Sequence, residues 1–211
     1  MISYMISHSN RVLLIVLGLF ALGFILFPGF SSTGPLSQRY HLYMMSDFSL
    51  ANNLEISLSQ ASNTATPSLS VSVKNTHPST PVTLLRWDSP LDPLALQLGL
   101  VSVVPAGGSA PIDMPTIKVS RAMPPDADSL VTLQPGESAS SVVELRDSFV
   151  PGDTWAQGKA KVSMKGRWGA VWPGLGKDDL LGDLEKLGAL GGGGDGVLTG
   201  EWESLTIGVG V

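Results

Sequence analysis

Two neighbouring stretches, "LEISLSQ" at 54–60 and "SLSVSVKN" at 68–75, alternate apolar and small polar residues with period two. Leu54, Ile56 and Leu58 share one face of the first, and Leu69, Val71 and Val73 share one face of the second. Successive side chains point to opposite faces only in a strand, so this alternation excludes an amphipathic helix and requires a sheet buried on one side. The intervening "ASNTATP" has turn chemistry, which predicts either a hairpin or a crossing between two sheets.

The signal recurs along the chain. "VTLLRW" (82–87), "LGLVSVV" ending before Pro105, "IDMPTIKVSR" with Ile117 and Val119, "SLVTL", "SSVVEL", "TWAQGKAKVSMKGRW" with Val162 and Met164, and "LTGEWESLTIGVGV" all read as strands. Pro135-Gly136 fits the two central positions of a type II turn, where proline presets φ and glycine accepts a positive φ. About seven to nine strands without core crossover helices predict an all-β fold over 54–211, an immunoglobulin-like antiparallel β-sandwich, with a closed barrel as the alternative. One segment interrupts it. In 174–196, Leu180, Leu184 and Leu187 fall at helical spacing, acidic residues open the first turn and glycines follow. A short amphipathic helix in a mobile insertion is expected, its leucines either contacting a partner's groove or packing back on their own sheet.

Ahead of the sandwich, residues 12–27, from Val12 to Phe27, contain no charge or strongly polar group. An N-terminal apolar helix is expected there. Its 16 residues exceed a usual signal core and fall short of the roughly 20 of a comfortable span, so residues 1–30 read as a signal-anchor or a cleaved signal peptide. Arg11 just before the run holds the N-terminus in the cytosol and sends the domain across the membrane. Residues 31–53 lack periodicity and read as a linker.

The chemistry-bearing residues point away from catalysis. The 13 basic residues are scattered and the formal net charge is −5, which disfavours a nucleic-acid partner. Cysteine is absent, excluding thiol catalysis and cysteine-ligated zinc. In "LLRWDSPLDP" (84–93), Asp88 and Asp92 flank Ser89-Pro90-Leu91. A glycosidase would need such a pair facing a cleft, whereas aspartate before proline initiates turns; a sheet corner is the expected role, with Trp87 in the core or at its rim. Asp126 and Asp128 lie in a proline-rich turn, Asp178, Asp179, Asp183 and Glu185 on a solvated helix face, and Glu201 and Glu203 on one side of a strand, where a solvent-facing pair is preferred over a cation site. Trp155, Trp168, Trp172 and Trp202 are expected to fill the core, the alternative being a sugar-stacking surface. No catalytic, cofactor-binding or metal residue is assigned.

"SVKNT…VTLLRWDSPLD", "VTLQPGESASSVVEL" and "GRWGAVW", in that order, resemble the N-terminal propeptide domain of fungal deuterolysin-type and peptidyl-lysine metalloendopeptidases. The resemblance covers about 54–211. It implies a β-sandwich of the secretory pathway that accompanies a zinc endopeptidase. The protease domain itself has no counterpart in this sequence: His8, His41 and His77 form no His-Glu-x-x-His motif. Together these readings favour a non-enzymatic, extracellular or membrane-tethered interaction domain, partnered by the membrane through its N-terminal segment and by a secreted zinc endopeptidase. A cell-surface carbohydrate-binding or adhesion module is the alternative.

Overall fold

The computed structural model describes residues 48–188, 190 and 194–211. Within them nine strands form two antiparallel sheets, as a sandwich requires. The smaller sheet has the order β1 (Leu54–Ser62), β2 (Ser68–Asn75), β6 (Ser138–Glu144). The larger is organised on β7 (Ala160–Pro173). Along its first half β7 pairs with β4 (Val101–Val104) and β9 (Ile207–Val209), along its middle with β8 (Leu198–Glu203), and at its end with β3 (Val82–Leu85), which also pairs with β5 (Leu130–Leu133).

The alternating stretches form a hairpin, one of the two expected alternatives, and not a crossing between sheets. β1 and β2 pair with Ile56 opposite Val73, Leu58 opposite Val71, Ser57 opposite Ser72 and Ser59 opposite Ser70. Leu69, Val71 and Val73 are fully buried, facing a core that includes Val82, Leu84, Val103, Val162, Met164 and Trp168 from the larger sheet. Each such side chain contributes about 1.5–3 kcal/mol of burial, which the serines on the opposite face do not.

β3 and β7 depart from simple alternation. All four residues of β3 are buried, and so are Ala170 to Pro173 of β7. A register shift between Trp168 and Val171 inserts an extra residue, so both of these join the inner core while Ala170 and Trp172 turn outward. The outward residues, with Leu85 and Leu130, form a second apolar cluster that needs its own cover. The insertion supplies it.

That insertion holds two short helices, where one was expected: α2 (Lys177–Leu181) and α3 (Leu184–Gly188), broken at Gly182-Asp183. A further turn, α1 (Leu50–Asn53), precedes β1. The fold therefore starts before Leu54, inside the stretch read as linker: Phe48 is buried and its ring stacks on His77 at 5.7 Å. "IDMPTIKVSR" is the one expected strand that does not form. Pro111 and Pro115 lack the N–H a ladder needs, and only two backbone bonds hold the segment, Ile112 N–H to the Val103 carbonyl (2.9 Å) and Ile117 N–H to that of Gln97 (3.0 Å). It is an extended strap on which Ile117 and Val119 are exposed. The expected helix over residues 12–27, like most of the linker, lies outside the described residues; among those described, no helix is long and apolar enough to cross a membrane.

Asn75 joins the sheets. Fully buried at the end of β2, its side-chain amide donates to the carbonyls of Thr80 (2.9 Å) and Leu133 (3.1 Å), and its side-chain oxygen accepts from His77 N–H (3.0 Å). His77 Nδ1 in turn accepts the N–H groups of Ser79 (3.3 Å) and Thr80 (2.9 Å). The backbone of Asn75 also binds the Pro135-Gly136 turn: Gly136 N–H donates to its carbonyl and its N–H donates to Glu137. Gly136 has φ +80° and Glu137 N–H reaches the Gln134 carbonyl at 2.9 Å, as a type II turn requires.

Urea denaturation should separate these two elements. Asn75→Ala strands two carbonyls and an N–H in the interior, so a loss of about 2–4 kcal/mol is expected. Gly136→Ala meets no atom within 4 Å and should cost only the positive-φ penalty, about 1–2 kcal/mol.

Candidate functional site

"LLRWDSPLDP" is a corner. β3 ends at Leu85, and residues 86–99 descend through successive turns that place Leu91, Ala95 and Leu96 in the core. Asp92 fastens them from inside. Its carboxylate is fully buried; one oxygen accepts Leu94 N–H (2.9 Å), and the other accepts Asp88 N–H (2.8 Å) and the Arg121 guanidinium (2.7 Å). Arg121, from the strap, also lies over the Trp87 ring at 5.7 Å. Trp87 is half-buried at the rim rather than in the core proper.

Asp88 is exposed and adopts φ 58°, a left-handed conformation that aspartate and asparagine tolerate better than most residues. Its carbonyl accepts the Trp202 indole N–H at 3.1 Å, tying the corner to β8. That contact needs Gly166, since a Cβ there would lie 2.7 Å from the Trp202 ring. Partial desolvation, followed by repulsion from Asp92, raises the Asp88 carboxyl above its ordinary value, with Arg121 opposing. The two aspartates do not face a common cleft as glycosidase carboxylates must. One is consumed by the corner.

The remaining sequence candidates are dispersed. Asp126 caps the 3₁₀ turn Ala127–Ser129, accepting the Ser129 hydroxyl (2.6 Å) and N–H (2.9 Å), and these bonds lower its pKa. Asp183 is lowered chiefly by its hydrogen bond with the Lys186 side chain, 2.8 Å away. Asp178, Asp179 and Glu185 are exposed on the insertion. Glu201 and Glu203 are exposed on β8, Glu201 pairing with Arg167 at 3.3 Å. Among the described residues no three His, Asp or Glu side chains converge as a metal site would need.

The three leucines separate. Leu180 and Leu187 are fully buried against Leu85, Ala170 and Trp172, while Leu184 is 65% exposed. The break at Gly182-Asp183 turns the second helix, so the spacing of a continuous helix no longer holds and the three do not present one docking stripe. Trp155, Trp168, Trp172 and Trp202 are likewise buried, which leaves no row of exposed indoles for sugar rings.

A family model for the immunoglobulin-like domain matches residues 53–211. The chain belongs to that family. The match begins within one residue of β1 and includes the insertion, so this immunoglobulin-like domain carries α2 and α3 as part of itself. It is also 36% identical over 105 residues to an uncharacterized secreted protein of Arthroderma benhamiae, a match covering 49% of this chain and 52% of the relative. The chain thus spans about half the length of the curated relative it matches.

Three residues that matter to this geometry were not singled out by sequence reasoning: Asn75, Arg86 and Arg121. Asn75 precedes turn chemistry in "KNTHPST", a detectable local signal, but neither its burial nor the 29-residue separation of Asp92 from Arg121 is visible in a linear pattern.

Asp92→Asn should destabilise the immunoglobulin-like domain by about 2–4 kcal/mol, because the Arg121 guanidinium loses its buried counter-charge. Asp88→Asn should not. A carboxyl whose folded pKa is raised loses stability as pH climbs from its unfolded value near 3.8 through the folded one. The asparagine variant should therefore match wild type below that window and be the more stable at pH 7, as urea midpoints at the two pH values will read.

Proposed function

We propose that this immunoglobulin-like domain is a non-catalytic interaction module that works outside the cytosol, similar in role to a metalloprotease propeptide. The observation that carries the reading is the fate of the motif residues. Asp92 is sealed under Arg121, Pro135-Gly136 turns the chain between sheets, and Trp168 and Trp172 are buried. Motif residues so fully engaged in folding preserve a shape, and a preserved surface is what a binding partner recognises.

Export is supported by the secreted nature of the Arthroderma benhamiae relative and by the uncharged run at residues 12–27. In this reading the run directs the chain across the bilayer and is then cleaved, or holds the domain at the membrane surface. The partner follows from the propeptide resemblance: a secreted zinc endopeptidase, which the domain inhibits or assists in folding.

The test is incubation of the full chain with a deuterolysin-type zinc endopeptidase, scored for inhibition and for recovery of protease activity after refolding. An effect at micromolar concentration is expected, corresponding to about 8 kcal/mol of binding. Absence of both effects at that concentration overturns the protease-partner reading.

A further inference from the structure

The insertion that covers the outer face of the larger sheet also builds a cleft. It occupies about 650 Å³ between β5 and the start of α2, and Arg86, Thr132, Gln134, Lys177, Asp178 and Asp179 line it. Arg86 follows β3 directly. Its backbone is fixed on both sides, N–H to the Ser129 carbonyl (2.8 Å) and carbonyl to the Ser89 hydroxyl (2.7 Å), so the side chain leaves from a rigid point.

The guanidinium has no carboxylate partner among the described residues, whose ion pairs involve Arg121, Arg146, Arg167 and Lys186. Its Nε–H is buried and donates to no acceptor among the described residues. A charged N–H taken from water without an acceptor costs more than a neutral one. Lys177 stands in the same cleft with only a neutral partner, donating to the Ala127 carbonyl at 2.9 Å. Arg86 and Lys177 thus line one concavity, and neither is ion-paired to a carboxylate among the described residues. Opposite in sign, Asp179 already spends one oxygen on Gly176 N–H (2.9 Å), and Asp178 is exposed.

We infer that this cleft binds a carboxylate side chain on a polypeptide partner, in a segment that also carries a basic residue. The planar guanidinium fork matches a carboxylate through two parallel N–H···O bonds, a geometry that an ammonium does not offer. Asp178 and Asp179 would repel a dense polyanion and attract a neighbouring cation, so a mixed-charge segment fits better than an acidic run. This deepens the interaction-module reading and rests on it.

Calorimetric titration of the full chain tests the inference with two blocked peptides that differ only in Glu against Gln, each also carrying one lysine two glycines away. Saturable binding of the glutamate peptide, weaker by at least about tenfold for the glutamine peptide and for Arg86→Gln, is the expected result. Arg86→Lys, which keeps the charge and the aliphatic stem, should fall between them, and Arg146→Gln on an exposed arginine elsewhere should bind as wild type. Melting curves of each variant identify any that fails to fold, in which case the peptide comparison on wild type and Arg86→Lys decides. Equal binding of the two peptides, or no binding of either, overturns the cleft. If protease inhibition persists in Arg86→Lys while the peptides fail to discriminate, the interaction reading stands and the contact lies elsewhere on the sandwich.

Discussion

Where the end of β7 lies beside β3, the larger sheet is apolar on both faces, and the insertion is arranged around that constraint. Leu84 and Val171 face the smaller sheet while Leu85, Ala170 and Trp172 face away from it. A sandwich supplies a partner for only one side. Leu180, Leu187 and Val197 cover the other, so the insertion between β7 and β8 is a structural layer in its own right and not an appendage. The register shift in β7 makes this arrangement possible, because it sends Trp168 and Val171 to one core and Trp172 to the other.

Polar groups then fix what the apolar layers leave adjustable. Hydrophobic burial is non-directional, whereas a buried hydrogen bond has a defined length and angle. Asn75 holds the end of β2 to the end of β5 across the sandwich, and Asp92 holds the 86–99 turns to the 112–121 strap. Both side chains are fully buried, and each satisfies several partners at once. Such groups contribute specificity of arrangement as well as stability: removing one leaves several partners unpaired at the same time.

The same layering links the fold to its functional reading. Docking the insertion on the outer face brings the start of α2 beside β5, and Lys177 N–H accordingly donates to the Thr132 hydroxyl at 3.0 Å. Thr132 also shares a 2.7 Å bond with Thr83 of β3, whose hydroxyl reaches the Leu175 carbonyl. Of this pair Thr132 lines the cleft beside Arg86 and Lys177.

What the sequence determined by itself is the local part. Alternation in 54–60 and 68–75 fixed two strands with serines outward, because period two has only one structural solution, and Pro135-Gly136 fixed a type II turn through backbone sterics alone; that the two strands pair as a hairpin and do not cross between sheets was left to the fold. Asp88 and Asp92 were legible as corner residues for the same local reason. Tertiary structure decided the rest. Nothing local in "IDMPTIKVSR" announces that its only two ladder-like bonds go to Val103 and Gln97, and nothing in "KDDLLGDLEKLG" tells a docked layer from an exposed stripe. Leu180 and Leu187 are buried because Trp172, remote in space from them until the chain folds, happens to face outward after a one-residue shift in β7. Arg86 became a candidate binding residue on the same ground: whether a guanidinium finds a carboxylate depends on which segments pack beside it, and that is settled only when both sheets and the insertion are in place.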